Sequence, residues 1–122
     1  MKYIGIDGCR RGWFFVGIAD DYSFEVGVIE RFAEVQRWLD RATLILVDIP
    51  IGLLTKGKKE RQCDLDARQM IAPRGSTVFP APVRSAIYKG TYEEASAENS
   101  RCASRGLSKQ SFAICKKIRE VD

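Results

Sequence analysis

The sequence predicts an α/β fold built on a small mixed sheet. Three observations point there. Residues 1–30 hold three short runs rich in β-formers, separated by tight turns; residues 31–40 switch to helical spacing; and residues 43–49 form a fourth apolar run. Strand-type alternation followed by a period of 3.6 and a return to strand is the signature of a crossover, which sets the fourth strand parallel to an earlier one.

The elements follow in order. Lys2–Asp7 (KYIGID) is a first strand, Gly8–Gly12 a turn, and Trp13–Ala19 (WFFVGIA) a nearly continuous apolar second strand. Asp20–Ser23 turns the chain into Phe24–Ile29, where Phe24, Val26 and Val28 share one face. Two short connections make this an antiparallel meander. Phe32, Val35, Trp38 and Leu39 then mark a short amphipathic helix over Arg31–Asp40. Thr43–Ile49 (TLILVDI) is apolar on both faces until Asp48 interrupts it, and its natural neighbour is the first strand.

Beyond Pro50 the pattern is helical. A helix is expected over Lys58–Ala72 with Cys63, Ala67, Met70 and Ile71 on its apolar face, then a structured Pro-rich loop over Pro73–Pro82. Shorter helices are expected at Arg84–Tyr88 and Tyr92–Ser104. Ser108 is placed to cap a last helix striped by Ser111, Ile114, Cys115, Ile118 and Val121. No Gly or Pro follows Gly106 and the stripe runs to the last residues, so the fold is expected to be incomplete at the C-terminus.

Composition narrows the chemistry. At 122 residues and 45% hydrophobic, the chain suits a single domain over 1–122. It contains no histidine, which removes Ser-His-Asp and Cys-His catalysis and imidazole metal sites. Cys9, Cys63, Cys102 and Cys115 form no C-x-x-C pair, so free thiols are expected. No apolar stretch is long enough for a membrane span, and Met1–Gly8 does not resemble a signal peptide, so a cytoplasmic location is expected. Residues 1–40 carry five basic and seven acidic side chains and residues 41–122 fifteen and nine, so the basic charge lies in the second part. That distribution suits a polyanion such as nucleic acid, or an ordinary solvated surface.

The candidate site rests on two acids. Asp7 ends the first strand and Asp48 falls near the end of the fourth. With the two strands parallel neighbours, both carboxylates leave the carboxyl end of the sheet, where ligands of open α/β sheets bind. Paired carboxylates with no cation between them repel, and a hard cation such as Mg²⁺ or Mn²⁺ relieves this with one or two protein oxygens. The competing reading is that Asp7 merely opens an Asp-Gly turn and Asp48 caps the next loop. Asp64 is a further candidate ligand. Arg10, Arg68, Arg74, Ser76 and Arg84 are candidates to hold phosphate, although Arg61, Asp64 and Arg68 equally suit an ordinary ion-pair row.

GIDGCRRGW at 5–13, LVDIPIGL at 46–53, RQCDLDAR at 61–68, RGSTVFPAPVR at 74–84 and LSKQSFAICKKIREVD at 107–122 together resemble the family designated domain of unknown function 429, described as predicted RNase H-like nucleases. The resemblance implies an RNase H-like mixed sheet, with three antiparallel strands, a helix and a parallel fourth strand, followed by helices. It also implies a metal-dependent phosphodiesterase site in which Asp7 and Asp48 hold the metal. It implies a longer full-length protein, of which this chain is a C-terminally truncated form. Glu120 and Asp122, at a terminus expected to fray, are not counted among its acids.

Two other functions suit the same sequence. An actin-like module would bind Mg-ATP through the first Asp-Gly hairpin and cut nothing. A non-catalytic module would self-associate, and homo-oligomerisation through the exposed fourth strand is expected in either case. The substrate class is nucleic acid or a phosphorylated small molecule.

Overall fold

The computed structural model describes residues 1–56 and 60–122. Four strands are formed: β1 (Tyr3–Cys9), β2 (Gly12–Ile18), β3 (Phe24–Ile29) and β4 (Leu44–Asp48). They make one mixed sheet in the order β3-β2-β1-β4. β1 and β3 flank β2 in antiparallel sense, whereas β4 lies parallel to β1. The expected α/β architecture is therefore present, with its crossover through a 3-10 turn (Phe32–Val35) that runs into α1 (Gln36–Leu39). Glu34 accepts from the backbone N–H groups of Glu30 and Arg31, both at 3.1 Å, and so fixes the start of that crossover.

The chain resolves into two compact units, Met1–Ile49 and essentially Pro50–Asp122. In the first, one face of the sheet is covered. Ile4, Ile6, Trp13, Phe15 and Ile29 project there and pack with Val35, Phe32 and Trp38. Trp13 stacks obliquely on Phe32 at 5.0 Å between ring centroids, and Phe15 on Trp38 at 4.7 Å. A tight turn at Arg10-Arg11 joins β1 to β2, closed by the Cys9–Gly12 pair. At Gly12, φ is +140°, and any Cβ would collide with the carbonyl of Ile29.

The other face is laid out in three rows across the strands. Phe24, Ile18, Tyr3 and Leu44 form the first; Val26, Val16, Gly5 and Leu46 the second; Val28, Phe14, Asp7 and Asp48 the third. This face is largely exposed. The alternation expected in β3 is thus correct, but its apolar side faces outward. β4 lies at the edge of the sheet, in keeping with the exposed fourth strand expected from the sequence: Ile45 and Val47 are half-buried, while Leu44 and Leu46 are exposed.

The second unit is helical: α2 (Gln62–Met70), a 3-10 turn at Gly75–Thr77, α3 (Arg84–Ile87), α4 (Tyr92–Ala103) and α5 (Lys109–Val121). The start expected for the first of these, at Lys58, and Lys59 beside it lie outside the described residues. Thr91 caps α4 by accepting from the N–H of Glu94 at 3.2 Å, and Ser108 caps α5 by accepting from that of Ser111 at 3.0 Å. The α5 stripe is as expected, with Ser111, Cys115 and Ile118 buried. Asn99, 1% exposed, ties α4 to its surroundings: its Oδ1 accepts from the N–H of Val83 and its Nδ2 donates to the carbonyl of Arg105, each at 2.9 Å.

α2 departs from expectation. Met70 is 86% exposed and Cys63 is also exposed, so the apolar face is not the buried one. The buried residue is Asp64, because Arg61 neutralises it one turn away. All four cysteines are free thiols. Among the described residues, no helix is long and apolar enough to cross a membrane.

Two measurements test this description. Gly12→Ala should cost more than ~2 kcal/mol of unfolding free energy in urea, because the replacement is strained and has no room. On α4, the Arg101 guanidinium and the Ser85 hydroxyl hold the Glu98 carboxyl at about 2, against an ordinary 4.5. A carboxyl lowered on folding stabilises the fold above its unfolded pKa and loses that contribution as pH falls toward the folded value. Glu98→Gln should therefore flatten the stability profile between about pH 5 and pH 2, read by thermal unfolding across that range.

Candidate functional site

Asp7 lies within β1 and is paired on both sides, opposite Phe14 in β2 and opposite Asp48 in β4. It does not open the turn, which comes at Arg10-Arg11. Parallel neighbours put paired Cα atoms about 4.8 Å apart, and partners in register point to the same face. The two carboxylates therefore emerge side by side from the third row of the outward face, at the carboxyl ends of β1 and β4. Both residues are exposed. Among the described residues, none of the arginines and lysines that pair with other acids is paired with either of these two.

The local sequence explains why the acids are tolerated there. Asp48 is the last residue of β4 before Pro50, where the strand leaves the sheet. Strand period 2 places it on the face that Leu44 and Leu46 share, away from the packed side. Like charges directly opposite on neighbouring strands are destabilising, so the pair is a standing repulsion that a bound cation would remove. Two carboxylate oxygens at a solvated edge suit a hard ion that retains several waters. Among the described residues there is no group of three or more His, Cys, Asp or Glu that could hold a metal ion.

The other candidate residues are placed differently. Arg10 is exposed in the turn just beyond Asp7 on the same hairpin. Asp64, Arg68, Arg74, Ser76 and Arg84 belong to the helical unit. Asp64 is gripped by Arg61, whose Nε and Nη2 donate to its two oxygens at 2.9 and 2.8 Å, while Nη1 donates to the carbonyl of Ile51 at 2.7 Å. The ion-pair reading of that row thus accounts for Asp64 and Arg61. Arg68 donates through Nε to the carbonyl of Val78 at 2.7 Å and pairs through Nη1 with Glu60, which also accepts from Arg105 at 3.2 Å. Its Nη2 is buried and lacks a partner among the described residues. Arg74 and Ser76 are exposed on the loop.

Arg84 is engaged by Asp122, which the sequence reading set aside as part of a fraying terminus. Its Nε donates to both oxygens of Asp122, at 2.9 and 3.0 Å, and the Tyr88 hydroxyl donates to one of them at 3.0 Å. Asp122 is therefore held rather than frayed, and its carboxylate raises the pKa of the Tyr88 hydroxyl. An Arg-x-x-x-Tyr spacing across the α3 turn was the available signal, since it stacks a guanidinium and a phenol on one side of a helix.

The molecule is thus an α/β protein whose mixed sheet carries an acidic pair at its carboxyl end. A sequence model of the family described as "Protein of unknown function (DUF429)" matches residues 5–122, and the chain belongs to that family. No curated protein matches the chain. No solved structure does so either.

The Arg61–Asp64 pair is mostly buried, with side-chain exposures of 14% and 12%. Arg61→Ala leaves an uncompensated carboxylate and should lower unfolding free energy by about 3 kcal/mol in a denaturant titration.

Proposed function

We propose that this protein is a divalent-cation-dependent phosphodiesterase with an RNase H-like fold, acting on nucleic acid or on a phosphorylated small molecule. The observation that carries the reading is the direct opposition of Asp7 and Asp48 across the parallel β1–β4 pair. The strand order and the single parallel pair also suit that fold. Asp7 and Asp48 would hold Mg²⁺ or Mn²⁺ between them. When bound, such an ion supplies Lewis acidity to a phosphoryl oxygen and acidifies a coordinated water.

The chain's own residues would do the rest. Asp7 sits on a strand paired on both sides, which fixes its Cα position and the face its side chain leaves from. Arg10, one turn of the hairpin away, is available to approach a phosphate as a point of charge and a donor. Phe14 and Val28, in the same row as the acids, offer an apolar surface beside the charge.

Calorimetric titration with Mn²⁺, on the wild type, Asp7→Asn and Asp48→Asn, tests this directly. Each variant should bind Mn²⁺ at least tenfold more weakly. Each should also be more stable than wild type in chelator, by about 0.5 kcal/mol, because the opposed like charges are gone. Hydrolysis of bis-p-nitrophenyl phosphate by wild type and not by Asp7→Asn would support phosphodiesterase chemistry. Metal binding that is equal in all three proteins would remove the site, and a Mg-ATP-dependent thermal shift without any hydrolysis would favour the nucleotide-binding reading instead.

A further inference from the structure

The helical unit holds a cavity that the acidic pair does not explain. It has a volume of about 480 Å³ and lies between the Tyr88-Lys89-Gly90 turn, which joins α3 to α4, and one side of α5. Phe112, Lys116 and Arg119 stand at i, i+4 and i+7 of α5, so one side of the helix presents all three. Ala113 and the buried Cys115 complete the lining. Small-molecule sites enclose roughly 300–1,000 Å³, and this cavity falls within that range.

Its charge is one-sided. Lys89, Lys116 and Arg119 line it, and no aspartate or glutamate does. The other two ionisable groups of the lining are neutral at pH 7: burial raises the pKa of Cys115, and the Asp122 carboxylate raises that of Tyr88. Asp122 is itself paired with Arg84, so its charge is already met. Arg119 differs from its neighbours. The half-buried Arg61, Arg68, Arg84 and Arg105 of this unit are each paired with an acid. Arg119, also half-buried, donates through Nη1 to the neutral carbonyl of Ile87. That bond anchors the guanidinium across the cavity wall and uses one of its five donors. Among the described residues, no carboxylate is paired with Arg119, Lys116 or Lys89.

We propose that this cavity binds a small phosphate monoester carried on a planar ring, with the phosphate on Arg119, Lys116 and Lys89 and the ring against Phe112. An arginine anchored by a backbone carbonyl offers a preset fork for phosphate oxygens, and the two exposed lysines add point charges. Phe112 supplies the aromatic surface. Its ring meets that of Tyr92 edge-on at 5.7 Å between centroids, and the Tyr92 hydroxyl donates to the carbonyl of Leu107 at 2.8 Å. A bare phosphate would use the cations and leave the ring and most of the volume to water. A cation cluster beside a held aromatic ring is the combination that takes a nucleotide-like anion, through charge at one end and stacking at the other. The site lies wholly within the helical unit, so the proposal does not depend on metal binding at Asp7 and Asp48.

Calorimetric titration of the full chain in chelator reads the outcome, with adenosine 5′-monophosphate, inorganic phosphate and adenosine as separate probes. The monophosphate should bind at least tenfold more tightly than either fragment. Lys89→Ala and Lys116→Ala, both at exposed positions, should each weaken it about tenfold, the loss of one charge-assisted contact. Lys116→Glu should abolish binding. Phe112→Leu should weaken the monophosphate about tenfold and leave inorganic phosphate unchanged. Asp7→Asn should bind the monophosphate as the wild type does, which separates this site from the acidic pair. Far-UV circular dichroism of every variant should match wild type, so that lost binding is not lost fold. A wild type that does not bind the monophosphate at 1 mM overturns the proposal. Equal binding by Lys116→Glu does so as well, as does inorganic phosphate that binds as tightly as the monophosphate. A single-stranded oligonucleotide that outcompetes the monophosphate at least tenfold also overturns it, in favour of a polymer as the ligand.

Discussion

Everything distinctive in the first unit depends on β1 having neighbours of opposite sense. Its antiparallel pairing with β2 is set by a hairpin too short to allow slippage. Its parallel pairing with β4 is set by the crossover through the 3-10 turn and α1, which the packed face holds down with Trp13 on Phe32 and Phe15 on Trp38. A strand hydrogen-bonded on both sides is the most constrained backbone a sheet offers. Asp7 sits on that strand. Its position follows from the ladder, not from side-chain contacts of its own.

The pairing of acids was legible in the sequence because it needed only periodicity and one topological rule. An apolar run broken by one aspartate, preceded by a helix, implies a parallel strand, and the register then follows from length. The outer face was less legible. Alternation shows which residues of β3 lie together, but whether their side is packed or bare depends on what else the chain supplies, and Phe24-x-Val26-x-Val28 carries no mark of that difference.

The helical unit was misread for another reason. In α2 the apolar residues Cys63 and Met70 lie outward, as does Ile71 just after it, and the buried position belongs to Asp64. Hydrophobic spacing assumes that burial follows apolarity, yet a carboxylate met by a bidentate guanidinium is cheap enough to bury. Glu60, shared by Arg68 and Arg105, and Asp122, shared by Arg84 and Tyr88, repeat the pattern. Several arginines that looked available for an external anion therefore already hold an internal one. Caps, by contrast, were read correctly at Ser108, since a serine before an amphipathic run has a local and nearly context-free role.

The opposed aspartates also act on folding fidelity. A slip of one residue in β4 would turn Asp48 into the packed side, beside Ile6 and together with Leu44 and Leu46, and bring Ile45 and Val47 out among the bare residues. An ionised group beneath the aromatic layer costs far more than the mild repulsion it suffers in register. The same charge that disfavours the correct alignment slightly thus forbids the nearest wrong one, and β4, a short strand with hydrophobic residues on both sides, would otherwise have little to tell the two apart.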